Sequence, residues 1–203
     1  MTELLTIIPS WLSRSAVQVA PDLIGCTLVR QISGDVTLQG LIVETEAYEP
    51  DDPAMHAYQR QTPRNQVMFG AAGHAYVYRI YGNYHCLNVV TDLAGVASSV
   101  LIRALELESI PPWIDLQAEP KLYRIAAGPG KLCRALKIDQ TLNGNRLEPG
   151  RPLWLEHRES EFQQQLEAGG LVLTQTTRIG LTRGTDLPRR WYLSNSTSVS
   201  KKG

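Results

Sequence analysis

Short β-rich runs joined by tight turns, with helices confined to a few places between and around them, predict an α+β domain built on a mostly antiparallel sheet. Three observations carry this expectation. The runs CTLVRQIS (26–33) and VTLQGLIVETEAY (36–48) meet at Ser33-Gly34-Asp35, a hairpin signal. AYVYRIY (75–81) and YHCLNVV (84–90) flank Gly82-Asn83, a two-residue turn of the I′/II′ kind. Further strand-like runs follow at VASSVLIRALEL (96–107), PLWLEHR (152–158), LVLTQTTRIGL (171–181) and RRWYLS (189–194).

The remaining elements fall between these strands. Residues 13–24 suit a short helix, with Pro21 near its end or at a break. Residues 49–74 are rich in Pro, Gly and polar side chains and read as a long irregular segment, the kind that is usually functional or disordered. Pro111 and Pro112 exclude a regular helix over 110–120, whereas GPGKLCRALKI (128–138) reads as a Gly-rich turn feeding a helix. At 203 residues the chain fits one domain over 1–203, its last few residues a flexible polar tail.

Formal net charge is zero, so total charge gives no argument for a polyanionic partner. Its distribution is uneven. Lys121, Arg124, Lys131, Arg134 and Lys137 lie between Glu119 and Asp139 with no acid among them. Arg178, Arg183, Arg189, Arg190, Lys201 and Lys202 are opposed only by Asp186. Segregated signs can present one basic face to nucleic acid, and scattered solvated charges account for the pattern equally well. Three widely spaced cysteines without a CxxC motif point away from a disulfide framework and towards a reducing compartment, the cytosol. No run suits a signal peptide or a membrane span, so no membrane partner is expected.

Two features bear on chemistry. In LIVETEAY, strand alternation puts Ile42, Glu44, Glu46 and Tyr48 on one face, beside a loop carrying His56. Two carboxylates there are either catalytic or the charges of a solvent-facing edge strand. His74 and His85 stand at no metal-ligand spacing, and no metal or cofactor is expected. The second feature is YVYRIYGNYHC (76–86), which holds four of the eight tyrosines, Tyr76, Tyr78, Tyr81 and Tyr84. Tyr81 and Tyr84 would oppose each other across the turn as a stabilising pair. Tyr76 and Tyr78 share a face and call for a flat partner; a nucleobase stacked on an aromatic side chain is worth roughly 1–3 kcal/mol. A hairpin can also enter a DNA groove and wedge its tip between base pairs.

In order along the chain, IVETEAY (42–48), DPAMHA (52–57), TPRNQVMF (62–69), YVYRIYGNYHCLN (76–88), VLIRALE (100–106) and GPGKLCRAL (128–136) resemble the alkyladenine (3-methyladenine) DNA glycosylase family. The resemblance runs from LIGCTLVR near residue 23 to TRIGL and RRWYLS near the C-terminus. It implies a single domain on a curved antiparallel sheet with a protruding β-hairpin that enters the minor groove. It implies a monomer that acts on double-stranded DNA, flips a damaged purine out of the stack and hydrolyses its N-glycosidic bond. Matched position by position, Glu46 is the general base and Arg103 helps to hold the catalytic water. Tyr48, His56 and Tyr78 enclose the flipped base, Asn88 screens against the exocyclic amino group of guanine, and Tyr81 intercalates. Arg64, Tyr84, Lys131 and Arg178 are candidate DNA-backbone contacts. No lysine occurs before Lys121, so a monofunctional hydrolase is expected. Two other readings remain: a catalytically silent nucleic-acid-binding module of the same fold, and a hydrolase of free nucleosides.

Overall fold

The computed structural model describes residues 6–32 and 36–203. The hairpin signal Ser33-Gly34-Asp35 lies outside the described residues. Two short helices, α1 (Pro9–Leu12) and α2 (Ala16–Asp22), open the chain, with Pro21 in the last turn of α2. Strands β1 (Thr27–Gln31), β2 (Thr37–Tyr48), β3 (Ala75–Ile80), β4 (Tyr84–Val90) and β5 (Ser99–Leu107) follow. The chain then forms α3 (Pro129–Ala135), β6 (Leu153–Glu156), α4 (Ser160–Glu167), β7 (Leu173–Thr176) and β8 (Arg190–Leu193).

The strands form one curved sheet in the order β3-β4-β5-β2-β1-β6, and β7 joins it through β8. Every strand pairing among the described residues is antiparallel. The twelve-residue β2 is the spine. One edge pairs with β5; the other serves β1 through residues 37–41 and β8 through residues 44–46. Its register against β5 shifts between Ile42 and Thr45, a bulge that strengthens local twist and helps the sheet to curl.

The centrality of β2 removes the solvent-facing alternative for its carboxylates. Residues 42–47 are all buried, so both faces of LIVETEAY meet protein. A large apolar core fills one side of the sheet, drawing on α2, α3 and the inner strands. A smaller cluster of Met55, Ala57, Met68, Tyr76, Val90 and Ala97 lies under the 49–74 segment. That segment is turns with one 3-10 helix over Gln66–Phe69, and it is packed rather than extended into solvent.

The hairpin register departs from the sequence expectation. Ile80, not Tyr81, pairs with Tyr84, so the turn is the three residues Tyr81-Gly82-Asn83. Tyr81 adopts φ 43° and Gly82 φ 81°, both in the left-handed region that favours glycine. Arg79 holds this turn: its Nε donates to the Gly82 carbonyl and its Nη2 donates to Asn83 Oδ1 at 3.0 Å.

The polar C-terminal segment is built into the fold as far as Ser200. Ser196, Ser198 and Val199 are buried, and the Ser200 N–H donates to the Glu44 carboxylate at 2.7 Å. Exposed side chains resume at Lys201.

Candidate active site

Strand alternation and the β2 spine bring the aromatic and charged residues together. Tyr76, Tyr78 and Ile80 share one face of β3, and Glu46 and Tyr48 end one face of β2. Across the sheet, Asn88 of β4 sits opposite Tyr76, and Arg103 of β5 reaches both glutamates. These side chains enclose a cavity of about 520 Å³, open at one side, within the usual range of small-ligand sites. Met55, His56, Met68, Cys86 and the Ile179-Gly180-Leu181 stretch also line it.

Glu46 lines the cavity and is fully buried. Its Oε2 accepts from the Tyr48 hydroxyl at 2.9 Å. Its Oε1 accepts from the Ile179 N–H at 2.8 Å and pairs with Arg103 Nη1 at 3.1 Å. A carboxylate has about four acceptor directions, so one is left on Oε2. Burial raises the Tyr48 phenol well above its ordinary pKa, and the adjacent Glu46 charge raises it further, which keeps the hydroxyl a neutral donor.

A second buried acid stands behind the first. Glu44 Oε1 accepts from Arg103 Nε at 2.9 Å, Arg190 Nε at 2.8 Å and the Ser200 hydroxyl at 2.9 Å. Burial alone would push this carboxyl up, but Arg103, the Ser200 N–H and Arg190 outweigh it and hold the pKa below its ordinary value. Burial in turn works against the Arg103 charge, yet Glu46 and Glu44 more than offset it and raise its pKa. The guanidinium is thus fixed as a cation between two carboxylates.

The aromatic walls form a connected set. The Tyr76 and Tyr78 ring centroids are 5.3 Å apart, and His56 meets Tyr78 edge-on at 4.4 Å. His56 Nδ1 lies 3.1 Å from the Tyr76 hydroxyl. Partial burial, aided by the Arg64 charge, lowers the His56 pKa and keeps the ring neutral at pH 7. Burial raises Tyr76 to about 12 and Tyr78 higher still, so both phenols are neutral. Asn88, also buried, donates from Nδ2 to the Tyr76 carbonyl at 3.2 Å. Tyr81 stands at the rim with 89% of its surface exposed.

The candidate backbone contacts are less uniform. Arg64 is exposed, its guanidinium carbon 5.8 Å from the Tyr78 ring. Tyr84 is exposed on one side and lies against Gly130, where a Cβ would meet its ring at 2.9 Å. Lys131 is engaged by Glu119 at 2.5 Å. Arg178 requires a correction. Its side chain is fully buried, forked onto Asp52, donating to the Ala47 carbonyl at 3.0 Å and stacked 4.6 Å from the Tyr48 ring. A phosphate has no access to it; it braces the pocket wall.

Sequence reasoning does not count Tyr76 among the residues that enclose the base, whereas it lines the cavity and bonds to His56. It also misses the Ile179 N–H, the Asp52–Arg178 brace and the tie between Ser200 and Glu44. The alternation that pairs Tyr76 with Tyr78 is the available signal for the first; backbone donors and buried pairs leave none. No group of three acidic, His or Cys side chains able to hold a metal occurs among the described residues. The cysteines Cys26, Cys86 and Cys133 are free and buried, and no helix among the described residues is long and apolar enough to cross a membrane.

Comparison with known proteins places this architecture. A protein of Trichodesmium erythraeum (strain IMS101) is 57% identical over 197 residues, covering 95% of this chain and 96% of its own length. One from Synechococcus sp. (strain JA-3-3Ab) is 53% identical over 194 residues, and one from Carboxydothermus hydrogenoformans 45% identical over 191. In both, 94% of this chain and 96% of the relative are covered. All three carry a provisional designation as 3-methyladenine DNA glycosylases. The family model described as methylpurine-DNA glycosylase matches residues 10–197, a span that takes in the whole cavity and every strand around it. With likeness of that extent, the chain belongs to the methylpurine-DNA glycosylase family.

Proposed function

We propose that this chain removes damaged purines from double-stranded DNA by hydrolysing the N-glycosidic bond of a nucleotide flipped into the cavity. The observation that carries the proposal is a buried glutamate, paired with an arginine, in the lining of a tyrosine-rich cavity that an exposed hairpin tip also lines. An enzyme acting on a base inside duplex DNA must extrude it first. Tyr81 is the residue placed to fill the gap in the stack, as apolar wedges of groove-binding proteins do.

In this mechanism the flipped base lies between Tyr48, Tyr78 and His56. Neutral phenols keep electron-rich faces, and a neutral His56 adds no charge to repel a cationic alkylpurine. Asn88 lies beside Tyr76 at the pocket wall, where an exocyclic amino group on the base would meet it. Glu46 uses its remaining acceptor direction to take a proton from water. The water oxygen bonds to C1′, the C1′–N bond breaks and its electron pair leaves with the purine. The sugar is oxocarbenium-like at the transition state, and the carboxylate stabilises that charge as well. A well-placed general base contributes about 10²–10⁴-fold. Among the described residues, the cavity lining contains no lysine, which supports a monofunctional hydrolase.

The test is incubation with duplexes carrying one hypoxanthine or one 3-methyladenine, followed by alkali to reveal abasic sites. The proposal expects free base and an alkali-labile site, with no covalent enzyme–DNA product on borohydride treatment. Lesion binding without base release would instead establish the silent binding module. A trapped adduct would remove the monofunctional mechanism.

A further inference from the structure

The C-terminal segment brings Ser200 beside the buried charges of the candidate site. Ser200 Oγ donates to Glu44 Oε1 at 2.9 Å and accepts from Arg103 Nη2 at 3.3 Å, while its N–H donates to Glu44 Oε2. The segment is itself anchored. Arg124 donates to the Val199 carbonyl at 3.2 Å and to the Ser200 carbonyl, and Arg190 Nη2 donates to the Lys201 carbonyl. Val199, Ser200 and Lys201 lie outside residues 10–197, the part matched by the family model.

Arg103 therefore has three holds. Nε is tied to Glu44, Nη1 faces Glu46, and Nη2 finds Ser200 Oγ as its one hydrogen-bond partner among the described residues. A long side chain with several rotatable bonds acts at fixed geometry only when its own donors are occupied. Removing the serine hydroxyl frees the outer nitrogen and takes one of three donors from Glu44 Oε1, the atom that sets the guanidinium angle.

We infer that Ser200 is a positioning residue: the C-terminal segment completes the active site by clamping Glu44 and Arg103, so that Arg103 faces Glu46 in the orientation the reaction requires. The inference rests on the glycosylase reading and deepens it. Ser200 does not line the cavity, so its influence runs through Arg103 and not through the base.

The experiment measures single-turnover base release and lesion-duplex affinity for full-length wild type, Ser200→Ala, Ser200→Thr and Lys202→Ala. Lys202 donates to the Ser194 carbonyl and, among the described residues, shares no hydrogen bond or ion pair with Glu44 or Arg103, which makes its variant the control for disturbing the tail. Loss of a hydrogen bond between charged and neutral groups predicts a release rate about tenfold lower in Ser200→Ala. Lesion affinity should stay within about twofold, a split that general loosening of the fold would not give. Ser200→Thr, which keeps the hydroxyl, should recover most of the rate, and Lys202→Ala should match wild type. A Ser200→Ala rate equal to wild type overturns the inference, as does a loss that follows only the fraction of folded protein. Failure of wild type itself to release any base would count against the glycosylase reading and not against the clamp alone.

Discussion

Replacing Arg178 with methionine separates a structural brace from a DNA contact. Both carboxylate oxygens of Asp52 meet the Arg178 guanidinium, and both side chains are fully buried. Methionine keeps much of the apolar stem but leaves Asp52 with the Ala54 N–H at 2.9 Å and Arg189 Nη1 at 3.5 Å. Breaking a buried ion pair from one side destabilises by about 3–5 kcal/mol. For a chain of this length each kcal/mol shifts Tm by about 2–4 °C, so the expected fall is about 6–20 °C. The stack behind Tyr48 goes with it, and lesion affinity should drop while undamaged-duplex affinity and its salt dependence stay constant. Arg64→Ala should do the reverse, leaving Tm unchanged and reducing the salt slope by about one. Urea denaturation and salt-titrated duplex binding read the two quantities. Adding Asp52→Asn to Arg178→Met should restore a large part of the stability, because no buried charge is then orphaned. A loss under about 1 kcal/mol, or a reduced salt slope in Arg178→Met, would refute the brace.

Further expectations rest on other parts of the site. Tyr81→Ser should leave stability within about 0.5 kcal/mol, since the side chain is 89% exposed, yet weaken lesion retention about tenfold. Unchanged retention and rate would exclude the wedge. Glu44 has a folded pKa below its ordinary 4.5, so its contribution is complete above pH 4.5 and lost as pH falls through the folded value. Glu44→Gln should therefore be less stable at neutral pH and show a flatter decline below pH 4.5; parallel curves would contradict the charged network. Arg79→Ala should loosen the turn that presents Tyr81, lowering lesion affinity with little change in Tm.

Much of the fold is legible because strands announce themselves by alternation and turns by Gly and Asn. Tyr76 and Tyr78 share a face in the sequence and in the sheet. The hairpin register is off by one residue because Tyr81 carries a left-handed φ that sequence patterns assign to glycine, with Arg79 holding the turn from the side. Helix α4 escapes a reading by pattern: its SEFQQQLE stretch buries no residue fully, though Phe162 packs at Gly25. Charge is the weakest guide. Arg178 and Arg190 look like basic surface in the sequence, but their partners Asp52 and Glu44 lie 126 and 146 residues away. The Ser/Lys-rich tail misleads for the same reason, since its contacts are hydroxyls and backbone groups that composition does not display.

Activation of water by Glu46 against a flipped, damaged nucleotide is the step on which the proposed mechanism depends. Its most direct test is single-turnover base release by wild type and Glu46→Gln on one lesion duplex, with the dissociation constant measured for both. The amide oxygen that this substitution introduces can still accept a hydrogen bond from the Tyr48 hydroxyl or the Ile179 N–H, so the pocket should persist. For Glu46→Gln, lesion affinity should stay close to wild type and the release rate should be about 10²–10⁴-fold lower. Equal release by the two proteins would remove Glu46 from the mechanism.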